Sequence, residues 1–331
     1  MKPTLVREFP SKLSSLEMAC VVLLVLVVYL VFFIGGLNVL LQSIVKLDSK
    51  DRVWQSEGGL WDHPEPNYGI MPFVAEFFAS ITAVPLAGAL LLFQALRFSY
   101  NGPVLMLFLL DCWMYTCAFF AHMLLWPLLN AVTLTSVLTN ALYTFAIYSG
   151  LAGGPLRNPY FRVLTTVCLW IVIVGLVVVL PDWFGENGGV PALLTIQTPA
   201  VISALAGSMY CYSLNPEAFK LLSASGVLLC SAMGVSLVEV LVGKYFQERF
   251  FGVVPVFHII IHSLEQVGIY LYGVGVAVIE HKMVRPVEFG HARMEYFWKR
   301  VPYFAITVRE GVVVDSSPSP RRSSRLSKKL T

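Results

Sequence analysis

Eight apolar runs dominate this chain, at 19–43, 71–96, 104–126, 130–148, 162–180, 194–212, 221–242 and 256–278. Each is close to the ~20 residues that a helix needs to cross a hydrocarbon core ~30 Å thick. Backbone polar groups in lipid must be paired, which restricts such a chain to helices or a closed barrel. None of the runs alternates polar and apolar residues in the manner of barrel strands, so helices are expected. Only 13% of the 331 residues are charged, 57% are hydrophobic, and the mean hydropathy is +0.72. A soluble protein of this length would lack the charge to cover its surface. The expected fold is an all-α membrane protein, with membrane lipids around it and no nucleic-acid partner.

The first run follows Lys2, Arg7 and Lys12, as a signal peptide would. It is longer than the ~7–15 apolar residues of such peptides, and no small-x-small cleavage site follows, so an uncleaved span is expected. The six cysteines (Cys20, Cys112, Cys117, Cys168, Cys211, Cys230) all fall in or beside the runs. They read as packing residues, not as a disulfide framework.

Charge sets the orientation. With a cytosolic N-terminus, eight spans return the C-terminus to the cytosol. The cytosolic segments then hold 18 Lys and Arg, and the other side holds five: Lys46, Lys50, Arg52, Lys244 and Arg249. This asymmetry follows the positive-inside rule.

The tail after Arg285 is mixed. Residues 289–314 are moderately apolar and aromatic, which suggests a segment lying on the membrane. The stretch 316–331 is rich in Ser, Pro and basic residues and should be disordered. It would be attracted to anionic lipid. It ends Lys328-Lys329-Leu330-Thr331. A dilysine so placed resembles the retrieval signal of endoplasmic-reticulum membrane proteins, which a coat recognises as an address.

Ionisable residues inside spans are costly and mark function by default. Here they are Glu76, Asp111, His122, Glu239, His258, His262 and Glu265. In the expected topology His122 ends one span on the non-cytosolic side, and His258 and His262 open another on that same side. His258, His262 and Glu265 follow an i, i+4, i+7 spacing and share one helix face. Neutral imidazoles are good zinc ligands, and three of them leave a coordination position open for chemistry. Hydrogen bonding between helices is the other reading of the same residues. A second cluster, Asp62, Glu65, Asn67 and then Glu76, offers hard oxygen ligands that suit calcium. For the loop residues alone, an ordinary acidic loop explains them equally well.

Together these residues resemble the alkaline ceramidases, seven-span hydrolases related to the adiponectin receptors. That family opens with an Asp-Trp-x-Glu-x-Asn-Tyr loop followed by a helical Glu, and Asp62, Glu65, Asn67 and Glu76 fall in step with it. His63 stands where the family has Trp, a calcium ligand through its backbone carbonyl. The family's zinc is held by one His late in the second helix and a His-x-x-x-His pair opening the seventh, matched by His122, His258 and His262. The phrase HIIIHSLEQVGIYLYG is similar to the family's last helix.

The resemblance covers about residues 58–279 and implies a seven-helix transmembrane bundle plus one extra N-terminal transmembrane helix. The domains would be 1–45 (cytosolic N-terminus and extra helix), 46–285 (the bundle) and 286–331 (cytosolic basic tail). It also implies Zn2+ and Ca2+ as cofactors and hydrolysis of ceramide, or a related sphingolipid, to a sphingoid base and a fatty acid. The implied location is the endoplasmic reticulum or Golgi membrane, with both termini cytosolic.

Two family positions differ. A Ser four residues before the first zinc His, which holds the reacting oxygen in the family, is Ala118 here. An Asp that takes a proton aligns with Thr133, or with Asn130 after a short gap. Neither is a carboxylate, so Glu265 becomes the candidate general base, with Asn130 the candidate at the family's Asp position. The same departures fit a second expectation, a catalytically impaired, lipid-binding or receptor-like member that keeps its metal.

Overall fold

The computed structural model describes residues 7–8, 13–31, 74, 76–124, 164, 167–168, 189–284 and 290–310. Its elements, in chain order, are β1 (Arg7–Glu8), α1 (Ser15–Leu26), α2 (Phe77–Thr82), α3 (Leu86–Arg97), α4 (Gly102–Leu124), α5 (Gly189–Cys211), α6 (Pro216–Val238), α7 (Val256–Ile279), β2 (Gly290–Phe297) and β3 (Val301–Glu310). Between α6 and α7 the chain makes two π turns, Glu239–Gly243 and Gln247–Phe251.

Among the described residues, four stretches are long and apolar enough to cross a membrane: Phe77–Arg97, Gly102–Met123, Pro216–Val238 and Val256–Met283. They correspond to four of the eight expected runs. Two shorter apolar helices, Ser15–Val31 and Val201–Cys211, fall in two more. The runs at 130–148 and 162–180 lie outside the described residues, apart from Leu164, Val167 and Cys168.

The first of the four is not a continuous helix. Pro85 has no N–H and disfavours helical geometry at Val84, so the chain breaks between α2 and α3. A break in lipid exposes backbone groups that need partners. One side chain of α7 supplies both: Gln266 Nε2 donates to Val84 O (2.8 Å), and its Oε1 accepts from Ala87 N (2.9 Å). This fixes the broken span against α7.

Close approach between helices relies on glycine. A Cβ on Gly268 would lie 3.1 Å from Leu229, and one on Gly275 would lie 2.9 Å from Leu222. The two glycines and the two leucines are each seven residues apart, so antiparallel α6 seats successive leucines into α7. Small residues at such contacts let membrane helices pack by van der Waals attraction. α6 itself starts at Asn215, whose side chain accepts from Glu217 N and Ala218 N (both 3.1 Å), with Pro216 in the first turn.

The described chain is mostly helical but not all-α. The segment expected to lie on the membrane folds into a hairpin, β2–β3, and β1 joins it in the antiparallel order β1-β3-β2. Val301, Tyr303, Phe304, Ile306 and Val308 are residue types that favour strands. The turn lacks the Asn-Gly signature of a hairpin and instead holds Trp298 and Lys299 at positive φ (48° and 60°). Residues Tyr303 to Ile306 are all buried, so both faces of β3 are covered. Tyr303 stacks on Phe98 and accepts from Leu13 N (3.2 Å), and the Tyr100 hydroxyl donates to Phe304 O. Tyr270 accepts from Gln94 Nε2 (2.8 Å) and donates to Pro302 O (2.9 Å). The sheet therefore closes one end of the bundle, around Arg97, Tyr100 and His281.

Candidate metal centre

The opposite end gathers polar groups from four elements. His122 comes from the last turn of α4, and His258 and His262 come from the first turns of α7. Their ring centroids are 4.6–5.3 Å apart, and one ring nitrogen of each lies within 4.8 Å of the others. His258 and His262 are buried, and the His122 side chain is 15% exposed.

Each imidazole has a carboxylate at Nδ1. His122 Nδ1 is 2.6 Å from Glu76 Oε2, and His258 Nδ1 is 3.2 Å from Glu239 Oε2. Where these carboxylates are ionised they only accept, and each imidazole then carries its proton on Nδ1. His262 Nδ1 lies 3.4 Å from Glu265 Oε2 but makes no hydrogen bond among the described residues. Glu76 is held twice, since its backbone N–H also donates to His122 O (3.1 Å). That bond satisfies one of the carbonyls left open at the end of α4.

With Nδ1 protonated, Nε2 of His258 presents a lone pair. It faces Nε2 of His262 at 2.9 Å. A proton on His262 Nε2 makes this contact a hydrogen bond, and a cation bound by both nitrogens would take that proton's place. Three nitrogen donors from two helices, with acceptors behind two of them, fit a metal that takes neutral imidazoles. The three histidines form a group that can hold a metal ion.

The remaining expected site residues divide clearly. Glu76, expected as a calcium ligand, sits just before α2 with its carboxylate on His122. Asp62, His63, Glu65, Asn67, Asn130 and Thr133 lie outside the described residues, so the oxygen cluster has one described member. Ala118 is buried on α4, one turn before His122. Asp111 is fully buried eleven residues before His122, ~16 Å along the helix.

Sequence reasoning left two participants without a role. Glu239 ends the α6 span, and the signal was its being a carboxylate inside an apolar run. Gln266 follows Glu265, and only the break at Pro85 shows why an amide is needed there. No protein-family model matches this chain, and no curated protein matches it in sequence.

Proposed function

We propose that the chain is a zinc-dependent membrane amidase that hydrolyses ceramide, or a related sphingolipid, to a sphingoid base and a fatty acid. The carrying observation is the convergence of His122, His258 and His262, with carboxylates at their Nδ1 atoms, at one end of a bundle of apolar helices. This supports the reading given by the alkaline-ceramidase resemblance. A zinc ion there would polarise the amide carbonyl and bring the pKa of a water near 7.

The chain's own residues would then handle protons and position. Water adds to the amide carbon, the C–N bond breaks, and a proton goes to the leaving nitrogen. Glu265 is the proposed carrier of that proton. Its side chain is 19% exposed and lies 3.4 Å from His262 Nδ1. A base of this kind contributes ~10²–10⁴-fold. Calcium remains part of the proposal through Asp62, His63, Glu65, Asn67 and Glu76, on sequence grounds. The proposed location is the endoplasmic reticulum or Golgi membrane, with a coat reading Lys328-Lys329. Unchanged localisation after replacing both lysines with serine would remove that last element.

Buried Ala118, in place of the family's Ser, favours a second reading, a lipid-binding or receptor-like protein with impaired catalysis. Metal analysis of purified protein, paired with hydrolysis of a labelled long-chain ceramide in calcium, separates the two. Metal-dependent release of sphingoid base, lost in His258→Ala and reduced in Glu265→Gln, is the expected result. Bound zinc without turnover would favour the second reading, and no bound metal would defeat both.

A further inference from the structure

We infer that Glu239 is a positioning residue of the metal centre, holding His258 with its Nε2 lone pair turned toward the metal. The inference rests on the proposed metal site and adds a residue to it.

Glu239 links the end of α6 to the histidine group. Its side chain is 11% exposed. Oε2 lies 3.2 Å from His258 Nδ1, placed to accept its N–H, and Oε1 is buried and makes no hydrogen bond among the described residues. The side chain's one hydrogen bond among the described residues is therefore to His258. Removing that acceptor frees His258 to rotate or to move its proton to Nε2, and a protonated Nε2 cannot bind a metal.

The backbone also changes course at Glu239. Helix α6 gives way at this residue to a π turn, Glu239–Gly243. The extra residue of a π turn re-aims the side chains around it; the same geometry recurs at Gln247–Phe251 and Glu280–Val284, so here it accounts for the path of the Glu239 stem. Gly243 closes the turn against the glutamate: a Cβ there would sit 3.1 Å from Glu239 Cγ and 3.6 Å from Cβ. That contact is tighter than ordinary packing, so the absent side chain at 243 leaves the stem room for its present path.

A buried carboxylate–imidazole contact can also exist only to join two helices. The two roles predict different results. Full-length protein in detergent is stripped of metal, and zinc and cobalt affinities are measured by competition with a chromophoric chelator. Unfolding of the metal-free protein is followed in parallel. Glu239→Leu is expected to lower metal affinity ~10–100-fold and to change the visible spectrum of bound cobalt. Glu239→Gln, whose carbonyl still accepts from Nδ1, should recover most of that affinity. Gly243→Ala, which presses on the stem, should cost a few-fold, and it serves if Glu239→Leu does not fold. Wild-type affinity and an unchanged cobalt spectrum in Gly243→Ala, and in Glu239→Leu if it folds, would overturn the inference, whatever happens to stability. Absence of zinc and cobalt binding by the wild type would instead remove the metal reading beneath it.

Discussion

Helix α7 has histidines at both ends, and they are buried alike: His258 and His262 are 5% and 7% exposed, and His281, just past its C-terminus, is 4% exposed. Their bonding differs. His281 Nδ1 donates to Ala277 O (2.9 Å), and its Nε2 accepts from Asn101 N (3.1 Å). Both ring nitrogens are occupied by backbone, and the ring packs between Tyr100 and Phe304. At the other end His258 Nδ1 meets the Glu239 carboxylate, His262 Nδ1 makes no hydrogen bond among the described residues, and the two Nε2 atoms face each other. Burial alone thus does not distinguish a ligand from a core histidine. What decides is whether a nitrogen remains available after the hydrogen bonds are assigned.

The largest test of that contrast exchanges the two kinds of histidine for alanine. His258→Ala removes one of three donors and is expected to abolish stoichiometric zinc, measured by elemental analysis of purified protein. His281→Ala should keep the metal and lose stability, because Asn101 N loses its partner at ~1–3 kcal/mol, while Ala277 O keeps the Glu280 N–H. Equal metal loss in both variants would erase the distinction between the two ends.

The second test concerns the closed end alone. Phe304 is fully buried between His281 and Tyr100. Phe304→Ala should cost about 3–5 kcal/mol through lost contacts and a cavity. Metal content should not change. Loss of zinc on this substitution, in protein that still unfolds cooperatively, would mean that the hairpin end and the metal end are not independent.

The sequence made the metal end easier to read than the hairpin end. His258, His262 and Glu265 share a face because 3.6-residue periodicity guarantees it, and His122 reaches the same level because apolar runs fix depth. The carboxylate at His122 was visible as Glu76, but it was assigned to calcium, since its meeting with His122 depends on two separate helix ends. Glu239 stood in plain view and received no role, because nothing local to residue 239 specifies contact with residue 258. The hairpin was missed for a different reason. Its turn residues, Trp298 and Lys299, take positive φ without the glycine or asparagine that usually announces it. The break at Pro85 was legible in principle, but its repair by Gln266 is a contact across 182 residues of chain.

That repair gives a third, smaller test. Gln266→Leu leaves Ala87 N without its partner inside the bundle and removes one of two donors to Val84 O, which keeps Leu86 N at 2.7 Å. Each buried unsatisfied group costs ~1–3 kcal/mol before relaxation. The clamp lies one turn below His262, beside the metal end, so zinc affinity should fall modestly as well as stability. Gln266→Glu keeps an acceptor for Ala87 N but not the donor for Val84 O, and should fall between leucine and wild type. A stability loss with unchanged zinc affinity would limit the clamp to holding the broken span.

The smallest expected effect is at the closed end, outside the spans. Ser14 and Glu17 form a capping box at the start of α1, with Ser14 N donating to Glu17 (2.7 Å) and Glu17 N donating to Ser14 Oγ (3.1 Å). The backbone N–H of Ser14 holds the Glu17 carboxyl below its usual range, followed by the Ser14 side chain and then by Arg97, despite an opposing effect of burial. A lowered folded pKa means that the ionised carboxylate contributes stability above the unfolded value and loses it as pH falls through the folded value. Glu17 is 38% exposed and its ion pair with Arg97 is 3.6 Å long, so solvent screening keeps the contribution small. Glu17→Gln should lower stability by a few tenths of a kcal/mol at neutral pH, the low end of first-turn charge effects. The gap between wild type and variant, followed by thermal unfolding, should close as the pH drops below the carboxylate range. Metal content should not respond at any pH where the histidines stay neutral. A gap that widens in acid would show that Glu17 is not stabilised as its anion, and that the closed end is held by packing alone.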